Sequence, residues 1–268
     1  MTDELVPISA VICTLNEAEK IGRALRSLAW TAEVVVVDSG STDGTVEIAR
    51  GAGARVFEHE WLGFSAQKNF AASLARNDWI LSIDADEVVT PQLAGAIREV
   101  IDGVPRSTQS FSVDRRNDFL GKMLPNSARS ANRLNYVRVY NRTTASWDES
   151  VEVHELVKTP EKPQPIRGQL LHINDLSVDG LVALFNRYAT AEAAALVAAG
   201  RRATVLDLTA RPIARFVWHF LIKGEWRLGR RGAAHAGIKA LSDFIRYAKL
   251  LENELRVSSS LTVEEKAA

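Results

Sequence analysis

Asp84 and Asp86, separated by a single alanine, close the run Trp79-Ile80-Leu81-Ser82-Ile83. That run is apolar and β-prone, so it reads as a short buried strand that delivers two carboxylates at its end. Two like charges so close together cost free energy unless a cation or hydrogen-bond donors compensate them. Hard divalent cations such as Mg²⁺ or Mn²⁺ are held by one or two carboxylates together with the phosphate oxygens of a substrate. The pair therefore fits a metal-diphosphate site at the carboxyl edge of a sheet, where ligands of open α/β folds sit. It also fits an acidic turn that does no more than follow a strand.

The elements that would position these residues are readable from apolar spacing. Residues 8–13 form a β-branched run ending in Thr14-Leu15-Asn16-Glu17, and Ile21, Leu25 and Leu28 then recur at helical spacing. Asn16 or a neighbour is expected to cap that helix. Residues 34–37 are four valines, too continuously apolar for a one-sided sheet and typical of a parallel one covered on both faces. They lead into Asp38-Ser39-Gly40-Ser41-Thr42-Asp43-Gly44-Thr45, a polar turn that opens a second helix. Residues 55–57 read as a third strand, 64–75 as a helix and 79–83 as the fourth strand. Such alternation with short links predicts an α/β fold: a mostly parallel sheet with helices on both faces. Its strand ends share one edge, so Thr14-Asn16-Glu17, Asp38-Ser39 and Asp84-Asp86 are expected to converge on one crevice.

After a helix at 91–101 that starts on a proline, the pattern becomes irregular. Strands are expected at 109–114, 134–140 and 168–173, the last ending in His172, and a long Ala-rich helix at 178–199. Residues 211–250 carry nine Lys or Arg against two Asp or Glu, interleaved with Phe216, Trp218, Phe220, Trp226, Phe244 and Tyr247. Residues 1–174 are taken as the catalytic domain and 175–268 as a helical appendage.

Composition narrows the function classes. The 268 residues suffice for one large α/β domain with an appendage, and 46% hydrophobic with 25% charged residues is ordinary for a globular chain. Lys plus Arg equals Asp plus Glu at 33 each, which gives no argument for nucleic acid. The lone Cys13 excludes an internal disulfide and a Cys-based zinc site, and a reducing compartment follows easily. The N-terminal residues carry acids and a proline rather than a signal segment, and no apolar run reaches the length of a bilayer span. No GxGxxG follows the first strand, which counts against a dinucleotide fold.

Ile8-Ser-Ala-Val-Ile-Cys-Thr-Leu-Asn-Glu-Ala18, Val35-Val-Val-Asp-Ser-Gly-Ser-Thr-Asp-Gly-Thr45 and Ile83-Asp-Ala-Asp-Glu87 together resemble the signature of glycosyltransferase family 2. Those enzymes have the GT-A fold and invert the anomeric centre of a nucleotide-diphospho-sugar. The chain is most similar to the branch that elongates the inner core of bacterial lipopolysaccharide. Gln67-Lys68-Asn69, Val153-His154-Glu155, Leu171-His172, Asn186-Arg187-Tyr188 and Tyr247-Ala248-Lys249-Leu250 also have counterparts there, so the resemblance spans nearly the whole chain. It departs at Leu228-Gly229, where the branch usually carries Asp-Gly, although Gly229 and Gly232 keep their spacing.

Carried onto these positions, the resemblance implies that Thr14, Asn16 and Glu17 line the nucleotide pocket. Asp38, with Ser39, would meet the nucleobase or ribose, unless Asp38 only caps the helix that follows; Asp43 would serve the nucleotide or its own turn. Lys68 resembles a basic residue that helps hold the nucleotide, and Asp84 would face the ribose or the metal. Asp86 would bind a Mn²⁺ or Mg²⁺ bridging the diphosphate, with His172 as a late metal ligand. Glu155, beside His154, resembles the general base that takes the proton of the acceptor hydroxyl, with Glu149, Glu152 and Asp148 as alternatives. The expected activity is inverting transfer from a UDP- or ADP-sugar to a glycolipid or lipopolysaccharide-core acceptor, in the cytoplasm or on the inner face of its membrane.

The basic-aromatic stretch at 211–250 suits an anionic membrane surface, or else packs its aromatics inward. A sugar-phosphate nucleotidyltransferase would need a Gly-rich basic loop after the first strand, which Thr14-Leu15-Asn16-Glu17 is not. A haloacid-dehalogenase-like phosphatase would carry its Asp-x-Asp on the first strand rather than the fourth. An inactive nucleotide-sugar-binding protein is the non-enzymatic alternative.

Overall fold

The structure, a computed structural model, describes residues 4–103, 109–125, 136–150, 156–173, 175 and 177–267, with 257–267 by backbone alone. The first half runs β1 (Val6–Thr14), α1 (Ala18–Arg26), β2 (Thr31–Asp38), α2 (Thr45–Gly51), β3 (Arg55–Glu58), α3 (Phe64–Ser73) and β4 (Trp79–Asp84). It continues through β5 (Glu87–Val89), α4 (Pro91–Gly103), β6 (Ser110–Phe119), β7 (Lys122–Met123), β8 (Val137–Asn141), β9 (Ser146–Trp147), β10 (Val157–Lys158) and β11 (Gln164–His172). A helical stretch follows: α5 (Val178–Ala198), α6 (Val205–Leu208), α7 (Ala210–Val217), a π turn (Trp218–Ile222), a 3-10 turn (Glu225–Leu228) and α8 (Arg230–Ala267). The chain divides into two compact units, one of Met1–Asn117 with Ser127–Asn174, the other of Asp118–Asn126 with Asp175–Ala268.

The sheet order is β3-β2-β1-β4-β8-β6-β11-β5. β1, β2, β3 and β4 are parallel neighbours, as the strand–helix alternation predicts. Apolar residues on successive positions of these strands go to opposite faces: Ile8, Ala10 and Ile12 of β1 join one core, while Val11 joins the other. Val36 likewise faces the first core and Val35 and Val37 the second, which is why residues 34–37 of β2 are continuously apolar. Beyond β4 the parallel pattern breaks. β8 inserts antiparallel between β4 and β6, and the short β5 closes the far edge antiparallel to β11. Neither the insertion nor β5 is readable from spacing, because three residues following a turn carry no periodicity.

β11 is seated on α4 by one glycine. Gly168 has φ +98°, and a Cβ there would lie 2.4 Å from the Leu93 backbone. The β11–β6 register shifts between Pro165 and Gln169, so the glycine marks a bulge where strand and helix touch. Thr90 finishes the seat: its hydroxyl donates to Gln169 O (2.8 Å) and accepts from Gln169 N (3.2 Å).

In the second unit α5 lies along α8. Glu192 pairs with Arg246, which also meets Asp243 at 3.1 Å, and Lys249 donates to Asn186 O at 3.2 Å. Arg215 ties α7 to Asp243 at 2.8 Å. At 21 residues and mean hydropathy 1.2, α5 is long and apolar enough to cross a membrane by length and composition, which corrects the expectation that no segment is. Its leucines, valines and Phe185 supply most of that hydropathy, and Arg187 and Glu192 interrupt it.

Gly168→Ala is expected to destabilise the protein by about 2–4 kcal/mol, since it combines left-handed backbone strain with a clash against backbone that does not yield. Urea unfolding followed by circular dichroism reads that loss directly.

Candidate active site

The parallel register brings the strand ends together. Thr14 is aligned with Asp38 and Cys13 with Asp84, so three polar termini share one edge of the sheet. Thr14 is buried there, and its hydroxyl has no hydrogen-bond partner among the described residues.

The two loops leaving β1 and β2 are laced to each other. Asn16, in the left-handed region at φ 54°, accepts from Thr42 N (2.8 Å), and its own N–H donates to the Ser41 hydroxyl (2.8 Å). Glu17 N donates to Thr45 Oγ1 (2.8 Å) and Ala18 N to Asp43 Oδ2 (3.1 Å). The first amides of α1 are therefore satisfied from the neighbouring loop, and the expected cap by Asn16 is not made. Asp43 caps α1 from a distance and holds its own turn through Thr45 N and Oγ1. Its carboxyl lies below the usual range, held chiefly by the Thr45 hydroxyl against a smaller opposing effect of burial. Glu17 directs its carboxylate to Lys20 at 2.8 Å.

Asp38 does not cap α2, which begins seven residues later at Thr45. Its carboxylate accepts from Gly40 N (2.9 Å), Ser41 N (2.8 Å) and the Ser41 hydroxyl. That pattern is an aspartate turn, in which the side chain mimics a backbone acceptor.

Three successive residues of α3 brace three different parts of the edge. Gln67, fully buried, donates to the Ser39 hydroxyl at 3.1 Å and to His59 O. Lys68, also buried, places its ammonium 3.4 Å from Asp84 Oδ1 and 4.5 Å above the Trp147 ring. Asn69 exchanges two hydrogen bonds with the Trp147 backbone, at 2.8 and 3.0 Å, and donates to Glu149 Oε1 at 2.7 Å.

Asp84 and Asp86 sit in different electrostatic settings. Asp84 faces Lys68 and, at 3.6 Å, Arg138. Burial opposes its ionisation, but Lys68, Arg138 and Arg115 outweigh burial and hold its carboxyl well below the usual carboxylate range. Glu87, fully buried, takes Arg115 at 2.6 Å and Arg138 at 3.2 Å and accepts from Asp84 N at 3.0 Å. Asp86 meets His172, with Oδ2 and Nε2 at 2.9 Å. The encounter follows from strand pairing, since His172 is aligned with Glu87 and Ile173 N donates to Asp86 O.

An imidazole nitrogen and a carboxylate oxygen converging at a partly open edge suit Mn²⁺ or Mg²⁺, with vacant positions left for phosphate oxygens. The donor set of Asp86 and His172 therefore fits the metal that the motif implies.

The structure thus places Thr14, Asn16, Glu17, Asp38, Ser39, Lys68, Asp84, Asp86 and His172 along one edge of the sheet. His154 and Glu155 lie outside the described residues, as does Glu152. Asp148 points to Ser150 and Lys158, and Glu149 to Asn69. Sequence reasoning missed Glu87, Arg115, Arg138 and Trp147. Arg138 had a signal, being the one charge on its strand and flanked by Val137 and Val139.

The model of "Glycosyl transferase family 2" matches residues 9–155. An uncharacterized glycosyltransferase of Rickettsia felis is 33% identical over 96% of this chain and 94% of that protein. The lipopolysaccharide core biosynthesis glycosyltransferase LpsC of Rhizobium meliloti is 32% identical over 92% of this chain and 93% of that protein. Staphylococcus aureus TarS 1-349 in complex with UDP superposes over 93% of this chain and 91% of that one, at 14% identity and a TM-score of 0.46. With the family model covering more than half its length and full-length relatives above 30% identity, this chain belongs to glycosyltransferase family 2: it is a glycosyltransferase of GT-A fold with a C-terminal helical region.

Proposed function

We propose that the protein transfers a sugar, with inversion, from a UDP- or ADP-sugar to a glycolipid acceptor of the lipopolysaccharide-core type. The observation that carries this reading is the pairing of Asp86 with His172 beside the cationic group of Lys68, Arg138 and Arg115. Negative diphosphate is recognised by that combination of charges, and the lipopolysaccharide relative supports the acceptor class.

Asp86 and His172 would hold Mn²⁺ or Mg²⁺, which supplies positive charge beside the departing diphosphate. Lys68, poised between Asp84 and Trp147, orients the donor, while Thr14, Asn16, Glu17, Asp38 and Ser39 frame the nucleotide. The acceptor hydroxyl attacks the anomeric carbon from the opposite face as the bond to diphosphate oxygen breaks and its electron pair leaves with the diphosphate. Glu155 takes the hydroxyl proton.

The reading includes an anionic membrane surface on the cytoplasmic side. Ile213, Val217, Trp218, Leu221, Ile222 and Trp226 are exposed within one short stretch, next to exposed Arg211, Arg227, Arg230 and Arg231. Apolar side chains bordered by arginines match the boundary between lipid tails and anionic headgroups. Tyr247, in contrast, is buried, so the aromatics of this region divide between packing and exposure.

Asp86→Asn and His172→Ala should each abolish the Mn²⁺-dependent part of UDP-sugar binding in calorimetry; unchanged metal dependence in both removes the assigned ligands. Glu155→Gln should keep donor binding and lower kcat by roughly 10² to 10⁴, the range for loss of a general base. Donor binding with no turnover on any lipid acceptor would instead describe a nucleotide-sugar-binding protein. The purified chain should co-sediment with vesicles containing phosphatidylglycerol, and added salt should release it as charge is screened. A Trp218→Ser, Ile222→Ser double variant should remain in the supernatant.

A further inference from the structure

The second unit contains a buried side-chain cluster unrelated to the sheet edge. His219, Glu225 and His235 are each at most 5% exposed, and one donor atom from each lies within 4.8 Å of the others. His219 Nδ1 faces Glu225 Oε1 at 2.8 Å, and His235 Nδ1 faces Glu225 Oε2 at 2.9 Å. Two imidazole nitrogens thus face the two oxygens of one carboxylate, close enough together to share a cation. We propose that this cluster is a Zn²⁺ site, His219 and His235 binding through Nδ1 and Glu225 through its carboxylate.

The local backbone is arranged to build it. His219 lies in the π turn at Trp218–Ile222, where one extra residue per turn rotates the side chain off the ordinary helical position. Glu225 lies in a tight 3-10 turn bracketed by Gly224 and Gly229, both at positive φ. Gly232 lets that turn approach α8, since a Cβ there would lie 1.8 Å from Glu225 O. His235 follows three residues later, its ring packed against Phe119 at 5.1 Å between centroids. A π turn and three special glycines within fifteen residues all serve to place one carboxylate between two imidazoles.

The donor chemistry selects the metal. Two neutral imidazoles and one carboxylate form a three-ligand set typical of zinc with a fourth position for water. The competing arrangement is two Nδ1–H donors on one carboxylate with no metal, which the same distances also allow.

The test uses the full-length protein carrying Asp86→Asn, so that the sheet-edge site does not contribute. After chelation and desalting, Co²⁺ is titrated while the visible spectrum is recorded, and Zn²⁺ is then added in competition. The expected result is one equivalent of Co²⁺ with intense d–d bands near tetrahedral strength, displaced by Zn²⁺, and a melting temperature raised by Zn²⁺. His235→Gln and Glu225→Gln should each weaken binding at least ~10-fold, in line with loss of metal-site groups. Absence of Co²⁺ bands and of any Zn²⁺-dependent melting shift in the Asp86→Asn protein overturns the proposal without reference to any variant of the triad. Bands that persist unchanged in a folded His235→Gln protein overturn it as well.

Discussion

The carboxylate of Glu87 has no exposure to water, and the geometry of the sheet edge depends on how that charge is compensated. Removing an ion from water costs several kcal/mol even after relaxation, so an isolated Glu87 would not remain ionised and buried. Arg115 and Arg138 supply opposite charge from β6 and β8, and the Asp84 amide donates the remaining hydrogen bond. That last bond closes the chain from Asp84 back onto Glu87. Ala85 is turned into the core, while Asp84 and Asp86 remain partly open to solvent. The insertion of β8 beside β4, which breaks the parallel order, is what carries Arg138 to the carboxylates.

A similar economy of parts governs the loops after β1 and β2. Asp38, Asn16 and Asp43 each use a side-chain oxygen to satisfy backbone amides that the loops would otherwise expose unpaired. A carboxylate has about four lone-pair sites, and Asp38 already fills three of them within its own turn. Its carboxylate is therefore committed chiefly to fixing the shape of the loop after β2. Fixing these loops before a nucleotide arrives lowers the ordering entropy that binding would otherwise carry.

Much of this arrangement was legible from residue types. The valine run of β2 announced a doubly covered parallel strand, and parallel strand ends necessarily share an edge, so Thr14, Asp38 and Asp84 could be brought together without coordinates. What stayed hidden depends on long-range pairing. The caps of α1 come from residues 25 and 28 positions away, and local capping rules look only at adjacent side chains. β5 is three residues long, and its existence depends on β11 arriving beside it more than 80 residues later. Glu87 reads as one more acid in an acidic turn until burial is known. His219, Glu225 and His235 are spaced unlike any common zinc pattern, because a π turn and glycine-bracketed turns bring them together rather than a regular helix face.

The two aspartates of the motif differ in what their charge is committed to. Lys68, Arg138 and Arg115 carry three positive charges against the two of Asp84 and Glu87, which leaves one in excess. Asp86 cancels that excess if His172 serves as a neutral ligand, the form in which imidazole coordinates. These six side chains are then formally neutral among themselves, and a nucleotide-sugar diphosphate meeting them alone would bring about two uncompensated negative charges. A single divalent cation restores neutrality. Asp84, already engaged by Lys68 and Arg138, has little charge left to offer such a cation, whereas Asp86 faces only an imidazole. On the proposed function, charge balance favours the second aspartate for the metal and leaves the first as a tether for the cations that would surround the diphosphate.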